Sequence, residues 1–163
     1  MSKLVFTEAT APGASASGKV AMYAKTDGRV YTKDDAGVEH LLSQDQFGVS
    51  FTVGDGVNVV TTGYKGAIQI PYDCTITEVS LVADVSGSAV VDIWKDTIAN
   101  YPPTDADSIT SATPPTLASE IYSVDSTLSG WDVDITSKDF LGFNIDSCST
   151  CKLLTLSIIG KKA

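Results

Sequence analysis

Apolar and polar positions alternate with a period of two along most of this chain, and hardly anywhere with the period of a helix. Residues 18–42 contain three short runs of this kind. Val20, Met22 and Ala24 alternate with small or polar residues, Val30 opens a second run to Lys33, and residues 38–42 form a third. Asp27-Gly28 and 34–37 (DDAG) separate them, and Gly in each supplies the positive φ that a tight turn needs. The pattern predicts a three-stranded meander with too few large apolar side chains for a core of its own. It is expected to dock on something else.

Beyond a connector at 43–48 the same periodicity predicts a larger β-rich body over 50–163. Strands are expected at 50–53, 57–61 and 67–70, with a break at 63–66. A long strand at 75–83, with Val79, Leu81 and Ala83 on one face, is expected to turn at Ser86-Gly87-Ser88 and pair back as a hairpin with 89–95. Residues 96–118 hold four prolines and many Ser, Thr and Asp, which reads as a long excursion with a helical turn near 105–109. Strands resume at 120–124, then at Trp131, Val133 and Ile135, at Leu141, Phe143 and Ile145, and at Leu154, Leu156 and Ile158. About eight short alternating strands with turns between them describe an all-β sandwich. Near the N-terminus, residues 4–6 read as one short strand, and the Ala/Ser/Pro/Gly-rich 9–17 as an arm that is flexible until an assembly holds it.

Composition narrows the partners. In 163 residues, 11 basic side chains face 20 acidic ones, for a net charge of -9. An acidic surface is repelled by nucleic-acid backbones and by anionic membranes, so neither is an expected partner. No stretch approaches the roughly 20 apolar residues of a membrane span. The first residues do not read as a signal peptide.

Chemistry-bearing residues are sparse. His40 is the single histidine, and no nucleophile-turn motif surrounds a serine, so hydrolase chemistry is not expected. Asp132 and Asp134 alternate with apolar residues and read as the solvent face of a strand rather than a glycosidase pair. Cys148 and Cys151 form a CxxC that, with Cys74 and His40, makes a complete Cys3His count. The separation of Cys74 and His40 in sequence argues for incidental thiols instead. Asp96, Asp105 and Asp107 lie in the excursion without a calcium-loop spacing. No cofactor or metal is expected. Of the aromatics, Trp131 reads as core, and Trp94 as an interface or a loop-covered edge. Tyr64, Tyr101 and Tyr122 read as surface rings able to stack on a sugar.

Two groups of residues resemble virion structural proteins of tailed bacteriophages, the tail-fibre, head-fibre and minor structural kind. The first is Pro12, Gly18, Val20, Tyr23, Lys25, Asp27, Gly28, Val30, Tyr31, Lys33, Asp34, Gly37, Glu39 and Leu42. The second comprises 91–95 (VDIWK), Tyr101-Pro102-Pro103, Asp107-Ser108-Ile109, Pro115, 126–131 (STLSGW) and 140–147 (FLGFNIDS). The resemblance implies a non-enzymatic virion component with a jelly-roll-like β-sandwich as its head and a homotrimer about a threefold axis. It implies that residues 1–45 attach and oligomerise, with Val20, Met22, Tyr23, Val30, Tyr31, Leu41 and Leu42 at the interface. The head would face outward, with Tyr64, Tyr101 and Tyr122 as possible contacts for a host surface glycan. Two other readings stand beside the fibre: a capsid decoration protein that binds capsomers, and a carbohydrate-binding module.

Overall fold

In the computed structural model, residues 5–42 and 45–162 are described, and the chain divides into two compact units, residues 1–45 and 46–163. Among the described residues all regular structure is β apart from two short 3-10 turns, and no helix is long and apolar enough to cross a membrane.

The first unit is a four-stranded sheet in the order β1 (Glu8–Ala9), β2 (Ala21–Lys25), β3 (Val30–Lys33), β4 (Glu39–Leu41). β2, β3 and β4 are the expected antiparallel meander, turned at Gly28 (φ 77°) and Gly37 (φ 83°). β1 joins β2 in parallel through Glu8 and Ala9. The strand expected at 4–6 is not formed at Val5 and Phe6, and Leu4 lies outside the described residues. The connector at 43–48 is a strand from Gln46 onward, and Ser43 and Gln44 lie outside the described residues.

The second unit is one curled seven-stranded sheet built from β5 (Gln46–Val53), β6 (Gly63–Gln69), β7 (Cys74–Asp96), β8 (Thr116–Asp125), β9 (Asp134–Ile135), β10 (Phe140–Ser149) and β11 (Leu154–Lys162). The expected hairpin at 86–88 does not exist, because β7 runs unbroken for 23 residues. Gly87 has no left-handed φ; its missing side chain makes room for the 149–151 turn, since a Cβ there would lie 2.5 Å from Cys151 Sγ. The strand expected at 57–61 is loop. Residues 63–66 are strand rather than a break, and of the strand expected at 131–135 only Asp134 and Ile135 pair.

The long paths bend together. β11 pairs with β7 from Cys74 to Ala83, and β10 takes over from Ser88 to Asp96. β5 and β6 flank β11 and β10 in turn, and β8 runs along the other edge of both halves of β7. Folding at this level makes two layers. The first is β5, β11, the first half of β7 and the second half of β8. The second is β6, β10, the second half of β7 and the first half of β8. Numbered in chain order the segments read 1-8-3-6 and 2-7-4-5, which is a jelly-roll sandwich. Alternate residues fill the space between layers: Phe47, Val79, Leu81, Leu154, Leu156 and Ile158 from the first, and Val91, Ile93, Leu117, Leu141, Phe143 and Ile145 from the second. Trp131 joins this core, as its face predicted.

Candidate functional site

The second layer's outer face is where the chain gathers its aromatic and polar side chains. Strand register puts Tyr64, Asn144 and Asp92 in one row, and places Trp94 opposite Gly142 in the next. Over these rows lies the excursion of residues 97–115, with its 3-10 turns Ile98–Asn100 and Asp105–Asp107. The second turn lies in the stretch where a helical turn was expected.

Asp92 holds the excursion down. Its side chain is buried, and its carboxylate accepts from the Ile93 amide at 2.8 Å, Trp94 Nε1 at 2.7 Å, Ser108 Oγ at 2.8 Å and Thr110 Oγ1 at 2.5 Å. Four donors satisfy a buried carboxylate without a cation, and two of them come from the excursion. Gly142 makes the second attachment. A Cβ there would sit 2.7 Å from Pro103 Cγ and 2.9 Å from Tyr64 Cε2, so the bare backbone is the seat for both.

Rings collect around that seat. Tyr64 stacks on Trp94 with centroids 5.8 Å apart and planes 9° from parallel, and Tyr101 leans on Phe140 at 5.0 Å. Trp94 is buried while Tyr64 keeps 36% and Tyr101 45% of its surface exposed. Burial, with the Tyr101 hydroxyl beside it, pushes the Tyr64 phenol up to about 12. Asn144 Nδ2 donates to Asp146 Oδ1 at 2.6 Å. Desolvation raises the Asp146 carboxyl above its usual range, and the charges of Asp92 and Asp105 add to that. The result is a shelf with two phenol rims, an amide and a carboxyl: groups that can stack on a ring and hydrogen-bond its hydroxyls.

Of the three predicted surface tyrosines, Tyr64 and Tyr101 meet here. Tyr122 does not, since it lies on β8 opposite Val82 on the first layer's outer face, 53% exposed. Sequence reading passed over Asp92, Phe140 and Gly142 as parts of one site. An Asp two residues before a Trp in an otherwise apolar strand was the available signal for the first of them.

The residues expected at an attachment interface separate onto two faces of the small sheet. Tyr23, Tyr31 and Leu41 share a row, where Tyr23 Oη donates to Glu39 Oε1 at 2.6 Å and the two tyrosine rings stack at 6.1 Å. Lys25 and Lys33 also pair with Glu39, and burial with the Glu39 contact pushes the Tyr23 phenol up to about 12. Met22 and Val30 point to the opposite face, with Val20 two residues before Met22 and Leu42 bonded through its amide to the Val30 carbonyl. Val20 is 66% exposed, and Met22 and Leu42 are 51% exposed each.

The other candidates disperse. Asp96 binds the Thr97 amide and Asn100, Asp107 caps Thr104, and no three metal-ligating side chains converge among the described residues. Cys74 lies on β7 opposite Ile135, Cys148 lies on β10 opposite Ala89, Cys151 ends the 149–151 turn, and all three are free thiols. His40 sits in the first unit, 3.4 Å from Asp34. Comparison of the chain with protein-family models, with curated proteins and with solved structures finds no match.

Proposed function

We propose that this protein is a non-enzymatic structural component of a tailed-phage virion, a fibre- or spike-type protein anchored by its N-terminal unit with the jelly roll outward. The observation that carries this reading is the division of labour between the two units. The body closes its own core, whereas the small sheet leaves Val20, Met22 and Leu42 exposed on one face. A sheet of four short strands gains stability by burying such a face against a neighbour, a second copy or another virion protein. Apart from Pro12, the residues of the first unit that carry the resemblance lie within 18–42, and the reading includes a homo-oligomer, a trimer by resemblance.

The test is to locate the chain in purified particles by density map and mass spectrometry. A fibre occurs at the tail in a multiple of the tail symmetry. A copy number following the capsid lattice would assign the decoration reading instead, and absence from particles would end both. Met22→Glu is expected to reduce incorporation while leaving the body folded.

Tyr64 and Tyr101 favour a second reading, in which the shelf contacts a glycan. The full chain would then bind members of a glycan array, and Tyr101→Ala would abolish that binding. Silence of the array removes this reading.

A further inference from the structure

Cys148 lies near the end of β10, and Cys151 follows it in the turn that leads to β11. Their side chains touch. Cys148 Sγ donates to the Cys151 carbonyl at 3.6 Å, and Cys151 Sγ donates to the Ser149 carbonyl at 3.5 Å. Burial pushes the Cys148 thiol up, and the charge and hydrogen-bond contact of the Cys151 thiol add to that. The surrounding backbone holds the two together. Thr150 Oγ1 donates to the Ser86 carbonyl at 3.1 Å, and Asp84 Oδ1 accepts from the Lys152 amide at 2.9 Å and the Leu153 amide at 3.1 Å. On the other side the Cys151 carbonyl accepts from the Val60 amide at 2.9 Å. Gly87 supplies the room, since its bare backbone is the seat of the Cys151 sulfur. Cys151 is fully buried, whereas Cys148 is half-buried and open to reagents.

We propose that Cys148 and Cys151 are a thiol pair that a small-molecule disulfide oxidises to an intramolecular disulfide, closing a clip across the turn from β10 to β11. Exposure sets the order of events. The Cys148 thiolate attacks one sulfur of the small disulfide, forming a mixed disulfide and releasing one thiolate. Cys151, deprotonated in turn, attacks the Cys148 sulfur and releases the second. The protein thiols lose both protons and a pair of electrons, and the small disulfide takes up that pair as it becomes two thiols. The fixed turn keeps the sulfurs at high effective concentration, which favours the second step over a stalled adduct. Cys74 takes no part: it is buried at the start of β7, whereas the turn packs on the middle of that strand at Ser86 and Gly87. A loop this short gains little stability from closure. The effect is local instead. Cys151 bears the carbonyl that holds the Val60 amide, and Lys152 the one that holds the Gly56 amide, so the clip steadies residues 54–60 through the turn.

The full chain is incubated with oxidised glutathione at about pH 8.5, then denatured, alkylated and mapped with trypsin. Peptide 139–152 carries both cysteines and is expected unalkylated and about 2 Da lighter than its dithiol form, with Cys74 alkylated. Dithiothreitol should restore both thiols. Hydrogen exchange at the Val60 and Gly56 amides should be slower in the oxidised protein than in the reduced one. Cys151→Ser should stop at a glutathione adduct on Cys148, and Cys148→Ser should leave Cys151 unreacted. Two alkylated thiols in peptide 139–152 of the wild type overturn the proposal. So does a lasting glutathione adduct on its Cys148, or a bond to Cys74 or to a second chain. Equal exchange of Val60 and Gly56 in the two forms overturns the role assigned to the clip.

Discussion

Phe51 and Phe143 stack at 4.4 Å between centroids, 19° from parallel, one from each layer of the sandwich. Phe51 stands on β5 at the edge of the first layer, and Phe143 on β10 inside the second. Their contact bridges the two layers. Phe143→Ala is expected to destabilise the protein by about 3–5 kcal/mol, as buried Phe truncations do. In a double-mutant cycle with Phe51→Ala, the coupling should be about 1 kcal/mol. Urea denaturation followed by tryptophan fluorescence reads both, and a coupling near zero would mean the rings merely share a core.

Gly142→Ala tests the seat of the excursion. The added methyl meets Pro103 and Tyr64, so one of them must move, at a cost of about 1–3 kcal/mol. Because Tyr64 packs on Trp94, the near-UV circular dichroism should change along with the stability. A variant with unaltered spectrum and midpoint would show that the loop yields freely.

Asp92→Ala removes the acceptor for Trp94 Nε1, Ser108 and Thr110 together. Leaving such donors unpaired in a buried setting should cost about 3 kcal/mol. Limited proteolysis within residues 97–115 should become faster in the variant. Asp92→Asn keeps one acceptor oxygen but turns an NH2 toward donors, so it is expected to fall between wild type and Asp92→Ala.

The response to pH has two opposing parts. Asp55 is held down at about 2, chiefly by the Asn58 amide, then by the Asn58 side chain and the Val57 amide. A carboxylate lower in the folded state binds fewer protons there, so its contribution is full above the unfolded value near 4. It is lost as pH falls toward 2. Asp55→Ala should flatten the acid limb of a melting-temperature profile in that window. Asp146 has the opposite sign. Its raised carboxyl favours the protonated folded form, so Asp146→Asn should raise the melting temperature at pH 7 and leave it unchanged at pH 3. Equal effects at both pH values would place the cause outside titration.

Much of this structure follows from local pattern. Alternation marked Leu141, Phe143 and Ile145, and Leu154, Leu156 and Ile158, as buried faces, and each now lies between the layers. The turns at Gly28 and Gly37 follow equally directly from glycine's tolerance of positive φ. Alternation with a period of two tells a side chain which face to take but does not name the neighbouring strand. That is why 86–88 read as a turn. Ser-Gly-Ser is common in turns, and only the 149–151 segment packed on Gly87 accounts for a glycine inside an extended strand.

The candidate site divides along the same line. That Tyr64 and Tyr101 belong near the surface could be read from their flanking turns and loops. That they share a shelf, while Tyr122 stands on the other layer, depends on β10 bringing Gly142 between Tyr64 and Trp94. Alone, the sequence determined an all-β chain in two parts, its buried faces and its acidic charge, because these depend on residues close together. Strand order, the folding of one sheet into two layers and the convergence of the shelf were decided by tertiary structure. They depend on pairings between residues as far apart as Ser50 and Ser157, which no local periodicity encodes.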